Sequence, residues 1–234
     1  MLSPDGHIAF RLFVAQPEPG GLSRLACQLL YRGKPVLDTS YLGLDIRNQE
    51  PFLGENAGLT AWTSAASRDG RYRTMTAEYM QNGSLGRRIN VEVRAYNSGV
   101  AFRYIVPPST PLDELLIKDE VTEFAFSPRN RAIAKIQESA VVPLPFVVES
   151  VRGAPGGPAP VWVEIAEAAR GNFPAMHLVR FGDGILISRL TPHPDDPTLA
   201  FEGKPPLTCP WRVVIVGPSR ESLGKADFGN ELRP

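Results

Sequence analysis

Histidine and cysteine are both scarce in this chain of 234 residues, at three and two respectively. Much of the usual nucleophile and metal chemistry goes with them. There is no Gly-x-Ser-x-Gly elbow, no glycine-rich phosphate loop and no His-Glu-x-x-His pair. A surplus of either charge is also lacking: 25 Lys plus Arg balance 25 Asp plus Glu, so nothing draws the chain to nucleic acid or to an anionic membrane. No apolar run approaches the ~18 residues that a membrane-spanning helix requires. No stretch keeps a helical period for three turns, and Met1-Leu2 enters the turn Ser3-Pro4-Asp5-Gly6 without a leader. Cys27 and Cys209 lie far apart and are read either as a pair in an oxidising compartment or as two buried free thiols.

What the chain does have is punctuation. Its 21 glycines and 23 prolines are scattered, the pattern of many short strands rather than of a disordered tail. Alternation predicts strands over residues 7–14, 22–31 and 36–46, with 8–12 residues between turn signals, as in an antiparallel meander. Residues 47–70 read as loop, with a broken strand near Leu59 to Thr63. The clearest signal is Arg88 to Val106, a hairpin turning at Asn97-Ser98-Gly99. Ile89, Val91, Val93 and Ala95 form its inner face, and Asn90, Glu92 and Arg94 a polar outer one. One strand is expected over 117–126 and two apolar pieces between 131 and 151. The Pro/Gly-rich stretch from Arg152 to Pro160 reads as a surface loop within one unit. Strands at 161–168, 176–180, 184–190 and 210–217 follow, and only the region of Glu221 and the extreme C-terminus are helix candidates. The class is all-β: a large two-sheet antiparallel sandwich, one domain over 1–234.

Candidate chemistry centres on Val161-Trp162-Val163-Glu164-Ile165-Ala166-Glu167. Successive strand residues face opposite ways, so Val161, Val163 and Ile165 share a face and Glu167 comes next in that register. A carboxylate in line with three buried-type side chains is costly unless a cation, a set of hydrogen bonds or water meets it. Gly171-Asn172-Phe173-Pro174 ends the strand. Glu167 therefore reads as a carboxylate at the lip of a β-structure, aimed at a partner; the plainer alternative is a frayed, solvated strand end. His177, His193 and Glu167 can be assembled on paper into a general acid–base trio of the aldose-epimerase kind. Against that, His177 lies within a strand and nothing fixes the loop of His193. Asp195-Asp196 reads as a solvated turn. Trp162 and Trp211 sit inside strand patterns and are expected in the core, while Trp62 is left open to stacking on a sugar.

Several short motifs, in order, carry a resemblance. Ser3-Pro4-Asp5-Gly6, Tyr31-Arg32-Gly33-Lys34-Pro35-Val36, Leu42-Gly43-Leu44, the hairpin from Arg88 to Tyr104 and Glu120-Val121-Thr122-Glu123-Phe124-Ala125-Phe126 come first. Glu167-Ala168-Ala169 with Asn172-Phe173-Pro174-Ala175-Met176 follows, then Pro210-Trp211-Arg212 and Asn230-Glu231-Leu232-Arg233-Pro234. Together they resemble the amino-terminal domain of the family 97 glycoside hydrolases, the calcium-dependent α-glucosidase and α-galactosidase group. The resemblance implies a "super-sandwich" like that of galactose mutarotase, packed against a (β/α)8 barrel. It also implies that Glu167 reaches across to a calcium ion beside the barrel's active site, and that the parent protein is periplasmic or secreted. The sequence departs from the family in ending with the sandwich, which leaves out the barrel's acid and base carboxylates. Between 131 and 151 it lacks the aromatic-rich pattern expected there, and it has Ala175 in place of glycine. The expectation is a non-catalytic accessory domain, truncated from its enzyme and inactive alone. The alternatives are a free-standing sugar-binding sandwich or, third, the epimerase-like enzyme.

Overall fold

The computed structural model describes residues 1–128, 130–151, 159–226, 228 and 232. Most of the Pro/Gly-rich loop and most of the terminal Asn230–Pro234 motif therefore lie outside the described residues. The chain opens with β1 (Ile8–Ala15), β2 (Arg24–Tyr31), β3 (Lys34–Tyr41) and β4 (Leu44–Ile46). A long hairpin of β5 (Ala57–Ala66) and β6 (Tyr72–Gln81) precedes the predicted hairpin, β7 (Arg88–Tyr96) and β8 (Gly99–Val106). After β9 (Leu115–Glu120) and β10 (Glu123–Ala125) comes a single helical turn, α1 (Arg131–Ala134), capped by the side chain of Asn130. Next are β11 (Phe146–Val151), β12 (Val161–Ala168), β13 (Met176–Gly182) and β14 (Ile185–Leu190). The short β15 (Phe201–Gly203) and β16 (Leu207–Thr208) lead to β17 (Trp211–Gly217) and α2 (Arg220–Leu223).

One layer is an eight-stranded antiparallel sheet in the order β11-β12-β17-β8-β7-β6-β5, with β16 added beside β8. The other is assembled from three short sheets, β1-β2-β3, β10-β14-β13 and β15-β9-β4. They abut where β3 meets β10 and β14 meets β9. The all-β sandwich is thus as expected, and the strict alternation of β7 accounts for its inner face. Ile89, Val91, Val93 and Ala95 are fully buried, and each larger aliphatic there contributes about 1.5–3 kcal/mol. Phe10 of β1 stacks on Phe102 of β8 across the layers, with ring centroids 5.9 Å apart.

Four local expectations are corrected. The strand within residues 47–70 is longer than Leu59 to Thr63: β5 runs Ala57–Ala66, paired with β6, and the remainder is loop and turn. Residues 117–126 form two strands in different sheets, separated at Val121-Thr122. The 131–151 region contributes α1 and one strand, β11. The tryptophans divide: Trp211 is buried, whereas Trp162 is only half-buried, on the face of β12 opposite the core. The outer face of the β7–β8 hairpin is also covered. Arg94 and Arg103 lie over the Trp211 ring at 4.7 and 4.3 Å, and Tyr96, Phe228 and Leu232 close a second apolar cluster around it.

Candidate functional site

Strand β12 delivers Glu167 as the alternation requires. Val161, Val163 and Ile165 are buried beneath it, and the strand ends one residue later. Left-handed backbone at Ala169 (φ 55) and at Gly171 (φ 53) then turns the chain away into the 170–175 loop. The pairing of β12 with β17 sets Glu167 directly opposite Arg212. The carboxylate is neither frayed nor solvated: its side chain is 11% exposed, and Oε1 accepts a hydrogen bond from Arg212 Nη1.

Arg212 is completely buried and serves two carboxylates. Its Nε and Nη2 clasp Glu120, likewise 0% exposed, with Nε 2.9 and 3.1 Å from the two oxygens and Nη2 2.5 Å from Oε2. Glu120 comes from β9 in the opposite layer, so one guanidinium ties both layers together. Burial works against the charge on Arg212, but the charge and hydrogen bonds of Glu120, with Glu167 added, outweigh it and raise the guanidinium pKa. Behind Glu120 the network continues. Thr122 Oγ1 donates to Glu120 Oε1 at 2.7 Å and sits 2.6 Å from the Tyr104 hydroxyl, while Ser188 Oγ donates to the Glu120 carbonyl at 2.9 Å. Burial, followed by the charge of Glu120, raises the Tyr104 pKa well above its usual value.

The second oxygen of Glu167, Oε2, is held loosely. The Met176 amide is 3.5 Å away and Arg170 Nε 3.9 Å, the latter on a half-exposed side chain. An open recess of about 600 Å3 begins here, lined by Glu167, Glu164, Arg170, His177, Leu144 and Thr191. A neighbouring recess of about 540 Å3 shares Arg170, Ala175 and Thr191 with it and is lined further by Asn172, His193 and Phe201. Phe173 anchors the loop between the two by packing on Phe201, with ring centroids 4.9 Å apart.

The structure therefore brings Glu167 and His177 to one recess and leaves His193 on the next. His193 accepts only from the Asp195 amide in their own loop, and burial with nearby Arg189 lowers the pKa of His177. Among the described residues, the histidine that pairs with a carboxylate is His7, with Asp5. Asp196 is taken by Arg47 and Thr198. Cys27 and Cys209 are free and buried, and burial pushes both thiols up to about 12. Sequence reasoning missed Arg212, Glu120 and Glu164. A lone arginine in the apolar run Trp211–Gly217 was the available signal, since such a charge needs a partner. Glu164, whose pKa burial raises, had none.

Three comparisons bear on the chain. The family described as Glycosyl-hydrolase 97 N-terminal matches residues 1–141. No curated protein matches. Solved structures of a glycoside hydrolase family 97 enzyme from Pseudoalteromonas sp. strain K8, in complex with panose and with acarbose, are similar over 100% of this chain, with a TM-score of 0.79 and 22% identity. A β-arabinopyranosidase is similar over 93% of it, with a TM-score of 0.65 and 20% identity. The chain spans 38% of the Pseudoalteromonas enzyme and 40% of the arabinopyranosidase.

Proposed function

Because this chain belongs to the glycosyl-hydrolase 97 N-terminal family, we propose that it forms one wall of a glycosidase active site, with Glu167 lent to a calcium ion shared with a (β/α)8 barrel of the parent enzyme. The observation that carries this reading is the unequal treatment of the two Glu167 oxygens on a residue that lines the recess: Oε1 is fixed by Arg212, and Oε2 has only the Met176 amide at 3.5 Å and Arg170 Nε at 3.9 Å. The donor chemistry fits a share of a calcium site and no more. Calcium takes six to eight oxygens, and among the described residues no cluster of three or more metal-binding side chains exists. Glu164 lines the same recess but stands on the face of β12 opposite to Glu167. The remaining ligands, and the acid and base groups of hydrolysis, belong to the barrel, so the chain alone hydrolyses nothing. When bound, the ion supplies positive charge beside the reacting sugar; this chain's residues hold and orient it. A periplasmic or secreted parent completes the reading.

A second feature supports an absent neighbour. Leu59 to Ala66 of β5 are exposed on both faces of an edge strand, and Leu59 and Trp62 line an open apolar groove of about 690 Å3. Successive pairings place Glu167, Arg212, Phe102, Val93, Met75 and Ser64 in one row across the sheet. Five strand spacings are about 24 Å, well within the width of a barrel of roughly 250 residues.

Calcium titration calorimetry tests the assignment, on the chain alone and after mixing with a separately produced barrel. The expected result is no measurable binding alone and tight binding in the mixture, abolished by Glu167→Gln. Tight binding to the isolated chain, or none in either case, sinks the calcium reading. The runner-up, a sugar-binding sandwich, rests on Trp62, which is 61% exposed. It expects panose to bind the isolated chain and Trp62→Ala to remove that binding; the accessory-domain reading expects no panose binding by the chain alone.

A further inference from the structure

We propose that Arg212 and Glu120 are positioning residues for Glu167: the clasp of Glu120 on the Nε–Nη2 edge fixes the direction of the guanidinium, so that Nη1 alone bonds Glu167, which is held through Oε1 and keeps Oε2 for a cation. The inference rests on the preceding reading only for the identity of that cation. A guanidinium is a planar fork with five N–H donors, and its preferred grip on a carboxylate is two parallel bonds. The Nε–Nη2 edge of Arg212 is spent on Glu120, which fixes the fork in a direction from which Nη1 alone reaches Glu167. Freed from Glu120, the fork would turn a full edge to Glu167 and occupy both of its oxygens. Glu120 is held in place by the Thr122 hydroxyl at 2.7 Å.

The arrangement also sets the charge. Two carboxylates share one buried guanidinium, so the triad presents a net negative charge to the recess. Arg170, 3.9 Å from Oε2 and half-exposed, is the weak countercharge that a cation displaces. Lysine at position 212 would not serve, because a point charge cannot divide its bonds between carboxylates from opposite layers in fixed directions.

The test uses the isotope-labelled 234-residue chain mixed with the separately produced barrel, and Gd3+ as a calcium-like probe. NMR follows the Arg212 Nε–H resonance, the Glu167 carboxyl carbon and Gd3+ broadening at the Met176 and His177 amides. Glu120→Gln is expected to shift the Arg212 and Glu167 resonances together and to weaken Gd3+ binding about tenfold, since it removes a nearby charge and frees the second edge of the fork. Arg212→Lys should act in the same direction. If Glu120→Gln does not fold, Thr122→Val keeps every charge while loosening Glu120, and should produce the same paired shifts. An unmoved Glu167 carboxyl carbon, with Gd3+ affinity within about twofold of the parent chain and only the melting temperature lowered, would reduce the network to a structural role and overturn the proposal. Absence of Gd3+ broadening in the mixture of parent chain and barrel sinks the cation reading instead, and the paired resonance shifts then decide the positioning on their own.

Discussion

Arg212→Ala is expected to cost about 3–5 kcal/mol, because it strands a fully buried carboxylate without its cation. That is a fifth or more of the stability of an ordinary domain, about 5–15 kcal/mol. In a chain of this length the melting temperature should fall by roughly 6–20 °C. Glu120 would keep the Thr122 hydrogen bond, but a neutral donor does not replace a charged one. The physical cause can be separated from simple loss of packing. The double replacement Glu120→Leu with Arg212→Met removes both fully buried charges, and should recover most of the stability lost in the single variant. Glu167, at the lip, can take up water instead. Chemical denaturation of the three proteins decides the matter: a loss below about 1 kcal/mol for Arg212→Ala would mean that the buried pair contributes little.

Gly99→Ala should be comparably damaging, by a different route. Gly99 opens β8 and faces Ile215 across the ladder to β17. A methyl group there would land on the Val214 carbonyl oxygen, 2.9 Å from the Ile215 Cα and 2.8 Å from the Phe228 ring. Two of those three obstacles are backbone, so no side-chain rotation relieves them. Either β8 and β17 part locally or the strand ends shift, at a cost of about 3 kcal/mol. Gly182→Ala is the control, since a Cβ there meets nothing within 4 Å. Urea denaturation should separate the two variants clearly; equal midpoints would show that the β8–β17 seam yields without cost.

Both predictions concern β17, and β17 shows how far the sequence could be read. Its apolar run announces a buried strand, and a single charge within such a run announces a partner. Which partner is a matter of register, and register between strands far apart in the chain is set by the whole sheet. Glu167 could be singled out as a carboxylate that needed something; Arg212 could not be named as that something until β12 and β17 were seen side by side. Glu120 was hidden further, because residues 117–126 read as one strand. The break at Val121-Thr122 lets Glu120 turn inward and donate its charge to the other layer.

Of the β5–β6 hairpin the sequence yields only a broken strand near Leu59 to Thr63, for the opposite reason. Alternation reports burial, and β5 has almost none: from Leu59 to Ala66 small and hydroxylated residues stand exposed on both faces. Its only strong marks are Leu59 and Trp62. The β7–β8 hairpin, buried on one face and turning at a glycine, was legible from end to end. What the sequence conceals is structure that buries no alternating face, and the exposed arm of β5 is of that kind.

The clasp of Arg212 has a mechanical corollary. Its two carboxylates come from opposite layers, so the position of Glu167 reports the spacing of the sandwich itself and not merely the shape of the loop beside it. A change that slides one sheet against the other by a fraction of an ångström will be felt at the lip, and a ligand that pulls on Glu167 pulls on the seam between the sheets. Binding preference and scaffold integrity are thus geared together at this point. Variation that alters what the recess accepts, without loosening the protein, has its freedom in the 170–175 and 191–194 loops, which border the recess and leave the seam alone.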